Sequence, residues 1–151
     1  MAIIRRKSGF TLVEIMVVVA IILIVMTLAL PNILRSRMNA NEVAAIAHCR
    51  LISTACQSYY SNSIPHVYPN SLEDLIEPNS SPAYIDTTLA SGEKQGYIFT
   101  YDLVNEDSFT LNAAPRTPGR TGVRYFYTDE TGVIRNKNDE EAGPDDPPVS
   151  G

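Results

Sequence analysis

From Phe10 to Leu30 the chain holds 21 residues with a single charged side chain, Glu14; from Ile15 to Leu30 there is no charge and only one hydroxyl. No other stretch restricts the fold as strongly. Wound as a helix at about 1.5 Å per residue, the run measures roughly 31 Å, the hydrocarbon thickness of a bilayer. A helix buried in a soluble core keeps a polar stripe as a rule, and the rest of a 151-residue chain is too small to wrap an apolar rod on every side. The run therefore predicts a membrane-spanning helix.

The flanks give that helix a direction. Arg5, Arg6 and Lys7 stand just before it, and clustered cations beside a first apolar segment hold that end in the cytoplasm. Everything beyond the run is then expected outside the cytoplasm. A secretory signal would follow an apolar stretch of about 7–15 residues with a small-residue cleavage site. Here the stretch is longer and continues through Leu30-Pro31 into helix-forming sequence, so removal of the whole rod is not expected. Glu14 is the exception inside the run. An ionised carboxylate deep in hydrocarbon costs on the order of 2.5 kcal/mol or more, so it either snorkels to the interface or finds a cation. A cut after Gly9 would create one, the α-amine of Phe10.

Lys7-Ser8-Gly9-Phe10-Thr11-Leu12-Val13-Glu14 followed by the apolar run resembles the leader and cleavage region of type IV prepilins and type II secretion pseudopilins. The resemblance covers the first fifth of the chain. It implies that residues 1–9 are a leader whose basic residues are Arg5, Arg6 and Lys7. It further implies that a prepilin peptidase cuts between Gly9 and Phe10 and N-methylates Phe10, that Glu14 of one subunit meets the Phe10 amine of another and sets their register, and that Pro31 kinks the helix. The implied partners are identical or homologous pilin subunits in a homopolymer filament, the peptidase, an inner-membrane assembly platform with its ATPase, and membrane lipid before assembly. No cofactor is implied. The implied location is the bacterial inner membrane as a single-pass precursor with a cytoplasmic amino end and a periplasmic head, then a periplasmic or extracellular filament.

Beyond Pro31 the pattern turns amphipathic. Leu34, Met38, Ala45, Cys49, Ile52, Cys56 and Tyr59 recur on one helical face, while Arg35, Arg37, Asn39, Arg50 and Ser58 lie elsewhere. One long helix is predicted over residues 10–60, with a transmembrane or filament-core part at 10–30 and an amphipathic part at 31–60 packed on a head. A bend is expected at Pro31, because proline removes a backbone bond and crowds the preceding turn. Cys49 and Cys56 lie seven residues apart, about 10.5 Å along a helix, whereas a disulfide needs Cα atoms within about 7 Å. They read as two small buried hydrophobes. His48 is adjacent to Cys49 but points some 100° away around the helix, and no metal site is assigned.

Residues 61–95 read as a connecting loop with one short helix, where Ser71 precedes Leu72–Ile76 and Asp74 completes an approximate capping box before Pro78. His66 reads as a loop surface residue. Residues 96–135 alternate with period two as four strands, Tyr97–Leu103, Ser108–Ala113, Val123–Thr128 and Val133–Arg135, separated by turn chemistry. An antiparallel meander with one face on the helix is the economical arrangement, so the fold class is α+β, a pilin-like long helix packed on a carboxyl-terminal sheet. Residues 136–151 hold Asp139, Glu140, Glu141, Asp145 and Asp146 among prolines, with Val149 alone as a large apolar residue, and are expected to form a flexible acidic tail. The resemblance to secretion pseudopilins implies calcium at this end as a sharper alternative, but the spaced aspartates and closing aromatic segment of that pattern are missing here.

The chain has 12 basic and 17 acidic residues; without the three leader cations nine remain against 17, a net charge of −8. Such a surface argues against a nucleic-acid partner, which needs surplus Lys and Arg. Three function classes follow. The first is a structural filament subunit, either of a type IV pilus-like fibre for adhesion or motility, or of a type II secretion system as a pseudopilin driving protein export. The second is a single-span anchored binding module that never polymerises. The third, an enzyme, finds only two histidines, no nucleophile–base constellation and no phosphate loop. The eight tyrosines read as packing residues, with glycan binding or electron carrying as the sharper alternatives.

Overall fold

The computed structural model describes residues 9–149; Arg5, Arg6 and Lys7 lie outside the described residues. Helix α1 covers Leu12–Asn62, with Pro31 inside it. The chain divides into two compact units, one ending at Ser36 and the other beginning at Arg37.

In the first unit every residue from 9 to 36 is exposed. Its most apolar 18-residue window has a mean hydropathy of 3.0 and no buried residue, which makes it long and apolar enough to cross a membrane. The hydroxyl inside the run is satisfied locally: Thr27 Oγ1 donates to the Leu23 carbonyl at 2.8 Å, so it brings no orphan polar group into hydrocarbon. Leu34, expected on the packed stripe, is 53% exposed and belongs to this unit. The stripe begins only at the first buried residue, because a periodic pattern says which side chains share a face and not where the covering sheet starts.

In the second unit α1 buries Glu42, Ala45, Cys49, Ile52, Ser53, Ala55 and Cys56. These sit at helical steps, and all but Glu42 and Ile52 are small, which lets a sheet approach closely. That sheet has five antiparallel strands in sequence order: β1 Glu93–Lys94, β2 Tyr97–Asn105, β3 Ser108–Pro115, β4 Arg124–Asp129 and β5 Arg135–Asn138. Alternation in β3 places Phe109, Leu111, Ala113 and Pro115 inside. The register stacks Phe99, Ala113 and Phe126 across three strands, and together with Ile52, Leu75 and Leu89 they form the core. Each such side chain contributes about 1.5–3 kcal/mol by burial. A side chain at Gly122 would place its Cβ 2.8 Å from Tyr97 Cζ. The bare glycine admits that ring, whose hydroxyl donates to the Arg124 carbonyl at 2.8 Å.

The sheet differs from the expected four strands at both ends. β1 lies inside the expected loop and joins β2 through Gln95-Gly96, both with positive φ of 47° and 76°. That is the two-residue turn that matches strand twist; its glutamine hid it, since Asn or Asp is the usual signal there. β5 occupies Arg135–Asn138 rather than Val133–Arg135. The segment expected to be a flexible tail begins within β5 and is hydrogen-bonded back to β5 and to the residue just before it: Asn136 N–H donates to Pro147 O at 3.0 Å and Val149 N–H to Ile134 O at 2.8 Å. Ala142 is buried and Val149 packs on the core. Acidic composition describes side chains, while the backbone here finds partners at an open sheet edge and covers it.

The connecting segment holds two helical turns instead of one. Over Leu72–Leu75 the chain forms a 3₁₀ turn in which Ser71 makes no side-chain cap. Asp74 Oδ2 instead accepts Asn70 N–H at 2.8 Å. A second short helix, α2 at Thr87–Ala90, is capped by Asp86, whose Oδ1 accepts Leu89 N–H at 2.9 Å.

Candidate assembly site

Helix α1 begins at a reciprocal cap. Glu14 N–H donates to Thr11 Oγ1 at 3.2 Å, and Thr11 N–H donates to Glu14 Oε2 at 3.5 Å, the outer limit of such a bond. The spacing Thr-x-x-Glu is the signature of this box and is present in the sequence, so Glu14 is a helix cap as well as a charge in need of a cation. The cap leaves Gly9 and Phe10 outside the helix, Phe10 76% exposed. It also holds a carboxylate at the positive end of the helix dipole. Among the described residues only Oε2 of Glu14 is engaged. Gly9, Phe10 and Glu14 thus lie together at the start of the rod, and Pro31 lies just after its last apolar residue, Leu30.

A second arrangement, in the other unit, escaped sequence reasoning altogether. Glu42 is 6% exposed. Its Oε1 accepts Val123 N–H at 2.8 Å and Arg124 N–H at 3.3 Å, and its Oε2 accepts Arg124 Nε–H at 2.7 Å. Burial pushes its pKa upward, but the hydrogen bonds from Val123 and Arg124 together with the guanidinium charge outweigh burial and hold it below the ordinary 4.5. Next to it Asn41 Nδ2 donates to Thr121 O at 2.9 Å. These contacts pin the helix to the start of β4 and to the loop before it. No spacing rule links residues 81 and 82 positions apart.

The remaining candidates have structural surroundings. Cys49 and Cys56 are free and buried, and burial pushes both thiols up to about 12, so neither is a ready nucleophile. His48 contacts Gln95 Oε1 at 3.1 Å and meets the Phe99 ring edge-on. His66 is exposed and stacks on Tyr60. Among the described residues no group of three or more His, Cys, Asp or Glu is placed to hold a metal ion. Of the tail carboxylates, Glu140 pairs with Lys137 at 2.9 Å and Asp146 Oδ2 accepts Gly143 N–H at 2.8 Å.

Residues 4–30 match the family model of the prokaryotic N-terminal methylation motif. The type II secretion system core protein G of Escherichia coli K12 is 32% identical over 96 residues, 62% of either chain, so the chain spans less than two thirds of that relative's length. The core protein G of Aeromonas hydrophila is 26% identical over 145 residues, covering 94% of this chain and 90% of the relative. The major component of the type IV wide pilus of Thermus thermophilus is 26% identical over 93 residues, 62% of this chain and 71% of the relative. No solved structure matches the chain. A capped apolar rod, a small-residue helix face on an antiparallel meander and these matches together make the chain a homologue of the type II secretion core protein G and the type IV pilins, with a prokaryotic N-terminal methylation motif at residues 4–30.

Proposed function

We propose that the chain is a subunit of a pilin-type filament, stored as a single-span membrane helix and assembled through that helix once residues 1–9 are removed. The observation that carries this reading is the rod: from residue 9 to 36 every side chain is exposed, and the run is apolar on all faces. Such a helix is stable only against lipid or against other apolar helices. In this reading a prepilin peptidase cuts between Gly9 and Phe10 and N-methylates the new amine, which keeps its charge. Glu14 Oε2 stays in its own cap, and Oε1 is the atom open to the Phe10 amine of a neighbour. Buried among apolar helices, such a pair adds little net stability, but breaking it strands a charge, so it selects one register over its alternatives. Pro31 bends the helix where the apolar run ends. An inner-membrane platform and its ATPase extract the subunits.

Alignment over 94% of the chain with the Aeromonas core protein G supports a secretion-type filament. The pilus reading, a fibre for adhesion or motility, rests on the shorter match with the Thermus pilus component. Intact mass of the native protein tests processing: loss of residues 1–9 with gain of one methyl group is expected, and a retained leader would leave only the non-polymerising anchored module. For assembly, Glu14→Leu should be processed normally yet give no filaments by electron microscopy of sheared material; filaments at the parental rate and register would remove Glu14 from the mechanism. Loss of export, rather than of surface fibres, on deletion of the gene would place the filament in secretion.

A further inference from the structure

The cleft between the last turn of α1 and residues 80–84 has no part in that reading. It encloses about 180 Å³ and is lined by Tyr59, Asn62, Ser63, Ser80, Ser81 and Tyr84. With about 30 Å³ per water, roughly six waters fill it, the room of one small ring and less than a drug-sized ligand needs. The rings of Tyr59 and Tyr84 meet edge to face, 6.4 Å apart at 69°, and both pack against the core. The walls are held by backbone bonds: Ser63 N–H to Tyr59 O at 2.9 Å, Ser80 N–H to Ile76 O at 2.9 Å, Tyr84 N–H to Leu75 O at 2.8 Å. The cleft is therefore set by the fold before any ligand arrives.

Its polar groups divide into engaged and open ones. Ser80 Oγ donates to Asp74 O, Ser63 Oγ faces Tyr60 O and Val67 O, and the Asn62 amide donates to Ser58 O and to the Tyr84 hydroxyl. The Asn62 carbonyl oxygen, the proton of the Tyr84 hydroxyl, and the hydroxyls of Tyr59 and Ser81 make no hydrogen bond among the described residues, and all four residues line the cleft. Among the described residues no charged side chain lines the cleft, so an ion entering it would shed water without gaining a counter-charge. Aromatic faces beside a fixed set of donors and an acceptor, without charge, suit the C–H faces and hydroxyls of a sugar ring.

We propose that this cleft binds a neutral pyranose residue, its C–H face stacked on the Tyr84 ring with Tyr59 beside it, and hydrogen-bonded by Asn62 Oδ1 and the hydroxyls of Tyr84 and Ser81. The site stands whether or not the chain polymerises. The test uses the full chain in sugar-free zwitterionic micelles, titrated separately with the methyl glycosides of glucose, galactose and N-acetylglucosamine while backbone amide shifts are followed by NMR. At least one glycoside should give saturable shifts confined to residues 59–63 and 80–84, with a Kd in the millimolar range expected of a single ring. Tyr84→Ala should weaken binding by about tenfold or more, and Tyr84→Phe, which keeps the stacking face, by a smaller factor. Absence of shifts with all three glycosides, shifts elsewhere in the head, equal binding by Tyr84→Phe and wild type together with equal binding by Ser81→Ala, or stronger shifts with acetate or methylamine would each overturn the proposal. Should Tyr84→Ala not fold, Tyr84→Phe and Ser81→Ala decide, since neither removes packed carbon.

Discussion

Ile22 and Ile52 are the same side chain on the same helix, yet Ile22 is 46% exposed and Ile52 fully buried. From Gly9 to Ser36 the chain keeps its apolar surface uncovered on every side; from Arg37 onward it hides such surface on one face and pins that face with polar contacts. The difference teaches that α1 serves two solvents. An all-round apolar helix asks only that its surroundings be greasy, and many surroundings meet that request. An amphipathic helix with small residues on its buried face asks for one particular sheet in one register.

Substitutions sharpen this contrast, beginning with the largest effect. Phe109→Ala empties the centre of the head beside Tyr68 and Tyr101 and should cost about 3–5 kcal/mol of unfolding free energy by urea titration, with membrane retention unchanged. Ile22→Lys should do the reverse, raising the cost of insertion by about 2.5–3.5 kcal/mol, read as loss of protein from the membrane fraction, while the head melts as before. If Ile22→Lys lowered the melting temperature of the head, the two units would not be energetically separate. Glu42→Gln should cost less, about 1–3 kcal/mol, because the Arg124 side chain is 33% exposed and water can reach the charge left behind.

That variant also sets the sign of the pH dependence. The folded state holds Glu42 below its ordinary value of 4.5, so it contributes stability above that value and loses it as pH falls through 4.5 toward the folded pKa. Glu42→Gln should flatten this part of the acid limb in melting curves; an unchanged slope would assign the limb to other carboxylates. The smallest effect is chemical. Cys49 and Cys56, with thiols pushed up to about 12, should resist a thiol reagent at neutral pH in the native head and react only on unfolding. Rapid labelling of the native protein would show that the small-residue face of α1 opens.

Much of this organisation was legible in the chain. The apolar run and the α+β order rest on signals local to a few residues, and local signals survive in a string of letters. The reciprocal cap at Thr11 and Glu14 is equally local, but a charge inside an apolar run points to a partner cation more strongly than to a helix start. Glu42 was not legible. A lone glutamate on a helix gives no hint that backbone amides 81 and 82 residues later will turn toward it. The segment after Asn136 misled for a related reason: its side chains are those of a solvated tail, but its backbone is held by a strand edge that exists only after β4 has formed.

By itself the sequence determined that a greasy rod of bilayer length precedes a head of one helix face and a meander, because hydrophobic period and run length act residue by residue through the solvent each side chain prefers. The tertiary structure alone decided which carboxylate is buried against which arginine, where the sheet ends, and that two tyrosines with an asparagine and three serines enclose a cleft. Those outcomes depend on groups far apart in the chain meeting at hydrogen-bond distance, and that distance exists only once the helix has settled on the sheet.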